Sequence, residues 1–592
     1  MIKRERIKLC GRLGLAFRGH RDDSKYHPDV GSYSQGGVGN FVEFLNFRVR
    51  AGDKVLEEHL KNGPKNASYI SKTSQNDIIK CCGQVVTETI INEVKRNKYF
   101  SIIADEAADC SNKEQLTLVL RFVDDNLNIR EDFIQFIHCR WGLSGADLAS
   151  IILNALTKLS LNVENCRGQG YDGAGAVAGH INGLSAHILR LNKKAIYTHC
   201  YSHRLNLAIS NSCTVPLVRN CFAQIKELSY FFNFSQTCQM LLEKNVLKYC
   251  PDSRKSKLKD VCRTRWVERI VGLDLFEELF VAIFFTLDEM ASNLENQCNP
   301  STSSKALSFL TLLSSFKFIV ALVITRNIFD LTLPVTELLQ ERTIDVMDGM
   351  HLIKSLIDTG LTIRTNMEWY HSGWYTQVIS LAAKVNIQES MPRTTSRQTA
   401  RDNPPANSAS EYFKRVITIP VIDHLNADLS ARFNFANVNA YNGLSIVPEK
   451  MISLINSKQC WKEKFKTFCN LYDDDFPNPL ALDAEMELWQ KYWETISDSS
   501  PSNVGATLKA VNFTGFENIK VALRILATLP VTSCECERSF SALRRLKNYN
   551  RSTMVEERLN GLALMHVHQE IEPDVQDVLQ KFATGNRRLE FS

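Results

Sequence analysis

No run in this sequence is apolar for long enough to cross a membrane. The most apolar region, Ala306 to Thr325, contains Lys317, with Ser314 and Ser315 close by. Its uncharged pieces fall short of the roughly 20 residues a spanning helix needs, so it reads as a buried helix, and no membrane partner is expected. A secretion signal is lacking too. The apolar part of MIKRERIKLCGRLGLAF is broken by Arg12, and no small-residue cleavage site follows. There is no disulfide ladder: the 17 cysteines are odd in number and scattered, with Cys81 and Cys82 adjacent and Cys534 close to Cys536. That usage fits a reducing compartment, cytosol or nucleus. Neither sign of charge is in large excess, the net being +5, so contact with a polyanion must come from local basic patches. No complete zinc-finger pattern is present, and no repeat at solenoid periods.

At 592 residues, with 44% apolar and 23% charged residues, the chain is globular in composition and too long for one core. Residues 1–98 read as a helical region with a turn-rich break at Ser32 to Asn40 and a helix over Gln75 to Arg96, capped by Ser74. The texture then changes. SIIADE (101–106), QLTLVLRFVD (115–124) and EDFIQFIHC (131–139) read as strands, ADLASIILNALTKL (146–159) as a helix, and CRGQGYDG (166–173) as a short strand ending in a turn. A helix follows to about Leu191, then the strand AIYTHC (195–200) and a helix from about His203. Three strands, helix, strand, helix, strand is the order of a ribonuclease-H-like α/β layer, although many α/β folds share parts of it.

The reading divides the chain at 99–215 for the first part of that core. An all-α insertion follows over 216–500, with a disordered loop near 390–410, and a C-terminal helical region over 510–575. In the last region NIKVALRILATL, SCECERSFSALRRLKNY and MVEERLNGLALMHVH are helices. Phe540, Leu543, Leu546, Leu559, Leu562 and Met565 fall at helical spacing and read as apolar stripes, that of the second helix making a dimer contact.

Four strings carry a resemblance: IIADEAAD (102–109), NCRGQGYDGAGAVAG (165–179), HCYSHRLNLAI (199–209) and CERSFSALRRLKNYNRSTMVEERLNGLALMHVH (536–568), with TRW (264–266) between them. In this order they resemble the hAT transposase superfamily, in the branch that includes zinc-finger MYM-type proteins and the THAP-domain repressor of the inhibitor of the protein kinase. The likeness runs from about residue 1 to residue 575. It implies a ribonuclease-H-like core interrupted by a large all-α insertion, closed by a C-terminal dimerisation region.

The resemblance also implies roles. Asp105, Asp172 and Glu537 match the catalytic Asp, Asp and Glu, which hold Mg²⁺ or Mn²⁺ as hard cations on oxygen ligands. Each has a plainer reading. Asp105 could be a strand-end residue with Glu106 and Asp109 as rivals, and Asp172 a turn or N-cap residue before Gly173. Glu537 could be a solvated helix carboxylate. Glu535 competes with it, but residues two apart on a helix face nearly opposite ways, and the ERSF context favours Glu537. His203 matches the Cys-x-x-His beside the family's active site, where an imidazole could donate to a phosphate oxygen; a satisfied core histidine is the alternative. His199, Cys200 and His203 would make only half of a zinc site.

Trp266, with Arg263 and Arg265 in a basic stretch from Lys248 to Arg269, suits a DNA strand. Cations neutralise phosphates and an indole stacks on an exposed base. In hAT enzymes the matching Trp stabilises a flipped base as a DNA hairpin forms; a core Trp is the alternative. Arg544 and Arg545 either hold phosphates or form the wet face of a helix. The expected activity is cut-and-paste DNA cleavage and strand transfer on element ends and target, by a homodimer or larger homo-oligomer in the nucleus. No BED-, TTF- or THAP-type finger precedes the core. The competing expectation is therefore a domesticated or truncated, catalytically silent DNA-binding, regulatory or protein-interaction protein.

Overall fold

The computed structural model describes residues 9–18, 39–63, 69–259, 266–294, 297–392, 404–434, 438–496, 500–511 and 515–584, the side chains of 266–268 and 550 excepted. The chain forms two compact units. One comprises Met1–Cys200, Asp345–Met347 and Val438–Ser592; the other comprises Tyr201–Ile344 and Asp348–Asn437.

The first unit is built on a five-stranded sheet. Helix α1 (Lys72–Asn97) leads into β1 (Phe100–Ala108), β2 (Glu114–Val123) and β3 (Ile129–His138). Then come α2 (Gly145–Lys158), β4 (Cys166–Tyr171), α3 (Leu184–Leu191) and β5 (Ile196–His199). The spatial order is β3-β2-β1-β4-β5. β1 pairs antiparallel with β2, as β2 does with β3, whereas β1–β4 and β4–β5 are parallel. This mixed sheet is the ribonuclease-H-like arrangement. β2 is buried from Gln115 to Val123, which is why its sequence is almost continuously apolar: both faces are covered. The helix expected from Gln75 starts a turn earlier. Its cap is Ser71, whose hydroxyl accepts the Ser74 amide at 3.2 Å, so Ser74 lies inside the helix.

The C-terminal region supplies α4 (Glu517–Thr528), α5 (Cys534–Leu546), α6 (Glu556–Val567) and α7 (Val575–Ala583). The apolar stripe given to a dimer contact is spent inside the chain. Phe540, Leu543, Leu546, Leu559, Leu562 and Met565 are all buried in one core with α1 and the sheet. α1 and α6 cross closely enough that a Cβ on Gly83 would stand 2.8 Å from the Gly561 Cα, and one on Gly561 would stand 2.6 Å from the Ile79 carbonyl oxygen. The β3 edge is protected rather than bare. Asn560 brackets Phe136, accepting its N–H at 2.8 Å and donating to its carbonyl at 2.9 Å.

Buried ion pairs tie distant segments of this unit together. Arg121 of β2 pairs with Glu131 of β3 at 2.6 Å and donates to the Ala527 carbonyl at 3.1 Å. Arg167 of β4 grips Asp475 through two hydrogen bonds of 2.8 and 2.5 Å, with the Tyr99 ring 4.7 Å from the guanidinium. A buried guanidinium needs such a partner. This helps explain why the chain from Val438 onward packs with the sheet, where the sequence reading kept it in the helical insertion to about residue 500. Lys547, one of the basic residues after Glu537, is buried and paired with Asp109.

The second unit is helical. Its helices include Pro216–Asn233, Gln236–Tyr249, Trp266–Glu278 and Phe280–Ser292. The apolar stretch around Ala306 to Thr325 breaks, at Ser314 and Ser315, into Pro300–Leu313 and Phe316–Asp330, bent by 69°. The second of these is buried on nearly every face. Among the described residues no single helix is long and apolar enough to cross a membrane. Of the expected disordered loop, residues 393–403 lie outside the described residues, and a short helix starts at Ala409.

Lys547→Met strands the Asp109 carboxylate in the core. It should cost about 3–5 kcal/mol of stability, the usual penalty for halving a buried pair. Adding Asp109→Asn should recover much of the loss. Urea denaturation of the single and double variants checks this, and equal midpoints for Lys547→Met and the parent would refute it.

Candidate carboxylate site

The parallel register of β1 and β4 matches Ile103 with Gly170. Two residues further on, Asp105 therefore reaches the sheet end where Asp172 follows β4. Asp172 is held in a turn: its Oδ1 accepts the Ala174 amide at 3.0 Å, and its carbonyl accepts the Tyr197 hydroxyl at 2.7 Å. The turn reading of Asp172 thus holds, and leaves its second carboxylate oxygen outside that hydrogen bond. Gly173 is required by contact. A Cβ there would lie 2.4 Å from Cε1 of His199, so the ring of the last β5 residue lies against the Asp172 turn.

The seating of α5 brings in Glu537. β4 carries glycine at 168 and 170, and Pro530 fills the space: a Cβ would meet its Cδ at 2.6 Å and its Cβ at 2.8 Å respectively. The Ser533 amide donates to Cys200 Sγ at 3.2 Å. Ser539 donates to Thr117 Oγ1 at 3.3 Å, and Thr117 is the strand partner of Asp105. Between these ties Glu537 is half-buried and acts electrostatically on Asp105. Glu535 turns the other way. It is buried and pairs with Arg538 at 2.6 Å, near Glu131. The helix therefore separates the two rival glutamates into a structural one and one that faces the aspartates.

Burial pushes the Asp105 carboxyl up to about 7, helped by repulsion from Asp172, Glu537 and Glu106 and opposed by the Glu106 amide at 2.9 Å. Burial likewise takes Glu106 to about 7, with Asp172 and Glu114 adding repulsion. Glu106, a rival of Asp105 in the sequence, is thus a further member of the same acidic cluster. Its signal was the Asp-Glu dipeptide at the end of a buried strand. Asp109, the other rival, is structural. Burial alone would raise its pKa, but Lys547, Gln115 and the amides of Ser111 and Lys113 hold it below the usual range. Carboxylate oxygens suit a hard divalent cation. Among the described residues, however, no three His, Cys, Asp or Glu side chains stand close enough together to hold a metal ion.

His203 belongs to Tyr201–Ser212, the first helix of the second unit. Trp266 opens the helix Trp266–Glu278, but its side chain lies outside the described residues, as do Arg263 and Arg265. Arg544 and Arg545 are exposed on the last turn of α5. His199 entered the sequence reading only as half of a zinc site; its contact with the Asp172 turn is carried by the Asp-Gly dipeptide.

A mixed sheet in this order, with Asp105 on β1 and Asp172 after β4 at the same sheet end and α5 tied beside them, defines a ribonuclease-H-like protein. Residues 5–183 match the ZMYM1/FAM200 RNase-like domain, and residues 485–571 match the hAT family C-terminal dimerisation region. The chain is similar to the 52 kDa repressor of the inhibitor of the protein kinase from Homo sapiens, 28% identical over 99% of this chain and 76% of that protein. It is likewise 28% identical to the repressor of the same description from Mus musculus, over 99% of this chain and 77% of that one. The chain thus carries matches to an RNase-like domain and to a hAT-type dimerisation region, the combination found in hAT-like, transposase-derived proteins.

Two outcomes follow from this geometry. Gly170→Ala sets a methyl against Pro530 and should cost about 1–3 kcal/mol, the scale of overpacking. Pro530→Gly in the same chain should restore part of that loss, whereas additive effects in thermal unfolding would contradict the contact. The second concerns pH. Asp105 and Glu106 titrate near 4 when unfolded and at about 7 when folded. The folded form holds more protons in that window, so stability falls as pH rises through it. Asp105→Asn and Glu106→Gln should flatten the fall, and parallel stability curves from roughly pH 4 to pH 7.5 would contradict it.

Proposed function

We propose that this chain cuts and rejoins DNA strands as hAT transposases do, with Asp105, Asp172 and Glu537 as its three acids. The observation that carries the reading is the parallel register of β1 and β4, which takes Asp105 and Asp172 to one sheet end, with the helix of Glu537 tied beside them through Ser533 and Ser539. Adjacent parallel strands fix the two aspartates, and the Pro530 seat fixes the helix that carries the glutamate. The carboxylates would hold Mg²⁺ or Mn²⁺, which supplies Lewis-acid stabilisation and a water of lowered pKa when bound. Asp105 and Glu106 would give up their protons on loading such a site.

Arg263, Arg265 and Trp266 would meet the DNA, with Arg544 and Arg545 adding positive charge, and His203 would donate to a phosphate oxygen. Work on paired element ends calls for more than one subunit, and the matched dimerisation region supports a homo-oligomer. Since the apolar stripes of α5 and α6 are internal, that contact would use their outer surfaces. The substrate implies the nucleus.

A second reading is favoured by one observation: among the described residues no three candidate ligands stand close enough to hold a metal. A domesticated, silent regulator would look so, and both relatives are described as repressors. Incubation of the purified chain with Mn²⁺ and supercoiled DNA separates the two. Nicking that falls at least about a hundredfold in Asp172→Asn, the scale of a lost preorganised charge, supports the enzyme. No Mn²⁺-dependent nicking, or the same nicking in Asp172→Asn, leaves the regulator.

A further inference from the structure

The second unit carries a basic cavity, about 630 Å³ in volume, along one face of helix Pro216–Asn233. Arg219, Ala223, Lys226 and Tyr230 fall at successive turns of that face, and Ala223 leaves room between the two cations. Phe222 forms the floor, and the Arg269 guanidinium lies 4.0 Å from its ring centroid. Glu227 is the one acid in the lining among the described residues. Among the described residues neither Arg219 nor Lys226 has an ion-pair partner.

Beside the cavity stands an unusual surface feature. Tyr230 and Phe234 stack at 5.5 Å between centroids, 21° apart in plane, with Phe234 81% exposed. Lys226 Nζ lies 5.6 Å from the Tyr230 ring. The same end of the helix holds the basic loop that follows Tyr249. Ser229 donates to the Lys259 carbonyl at 3.2 Å and Asn233 to the Leu258 carbonyl at 3.0 Å. Exposed Lys257 and Lys259 are thereby fastened next to the aromatic pair.

We propose that this face binds an unpaired DNA strand, with phosphates on Arg219, Lys226 and the Lys257–Lys259 loop and a base stacked on Phe234. Cations at helical spacing with no ion-pair partner among the described residues match a phosphate backbone. Stacked, solvent-facing rings offer a π-face on which any base can stack. The inference rests on the reading of the chain as a DNA-acting protein and names the part of the second unit that receives the separated strand.

Fluorescence anisotropy of a labelled oligothymidine with the full chain tests it. Phe234 is exposed, so Phe234→Ala leaves the fold intact, which a thermal melt checks. It should weaken binding by about five- to a hundredfold. Arg219→Ala with Lys226→Ala should reduce the slope of log affinity against log salt by about 1.4, two single-strand phosphate contacts. The proposal is overturned if these variants bind as the parent does, if the parent binds no oligothymidine, or if polyglutamate displaces the strand at equal charge concentration. The plasmid assay distinguishes the two failures. Loss of Mn²⁺-dependent nicking with Phe234-dependent strand binding intact defeats only the enzyme. Persistent nicking with strand binding indifferent to Phe234 defeats only this face.

Discussion

The approach of Pro530 to the glycines of β4 is the contact on which the acidic cluster depends. A strand with side chains at 168 and 170 would hold the C-terminal segment off the sheet by at least the width of a methyl group. With glycine there, the turn after α4 lies directly on the backbone, Cys200 receives the Ser533 amide, and α5 starts over the sheet end. Glu537 needs no long reach to influence Asp105, because its helix is set down next to the strand. The cost is borne by β4, since glycine weakens a strand interior. The parallel neighbours on both sides and the Arg167–Asp475 pair compensate.

Burial and mutual repulsion together give the cluster its character. Water is largely excluded from Asp105, so its charge is poorly solvated, and the nearby acids make ionisation harder still. The neighbouring pairs behave differently. Asp109 and Glu535 are as deeply buried, yet each has a cation of its own. The chain thus keeps two kinds of buried acid within a few residues of one another, neutralised ones that brace the core and uncompensated ones at the sheet end.

Much of this was legible from the residues. Short strands, the helix following them and the three closing helices follow from periodicity, because burial on one or both faces leaves a pattern in hydrophobicity. The choice between Glu535 and Glu537 was also half visible, since two residues on a helix must diverge. What escaped was long-range. Nothing local says that Asp475 is the partner of Arg167, so the return of the chain to the sheet unit at Val438 was missed. Nor does an apolar stripe say whether its cover is a second subunit or the chain's own sheet; for Phe540 and Leu562 it is the sheet and α1. Helix ends moved for ordinary reasons: a cap three residues earlier at Ser71, and serines that break a long apolar run in two.

The close crossing of α1 and α6 at Gly83 and Gly561 bears on how the chain is made. The sheet cannot complete its core until the closing helices have left the ribosome, long after β5 has emerged. At roughly 5–20 residues per second that delay is tens of seconds. During it, the apolar face reserved for α5 and α6 stays open, while the helical unit between them has all its own residues and is free to fold first. A half-built sheet with such a face open is an aggregation-prone species until the closing helices arrive.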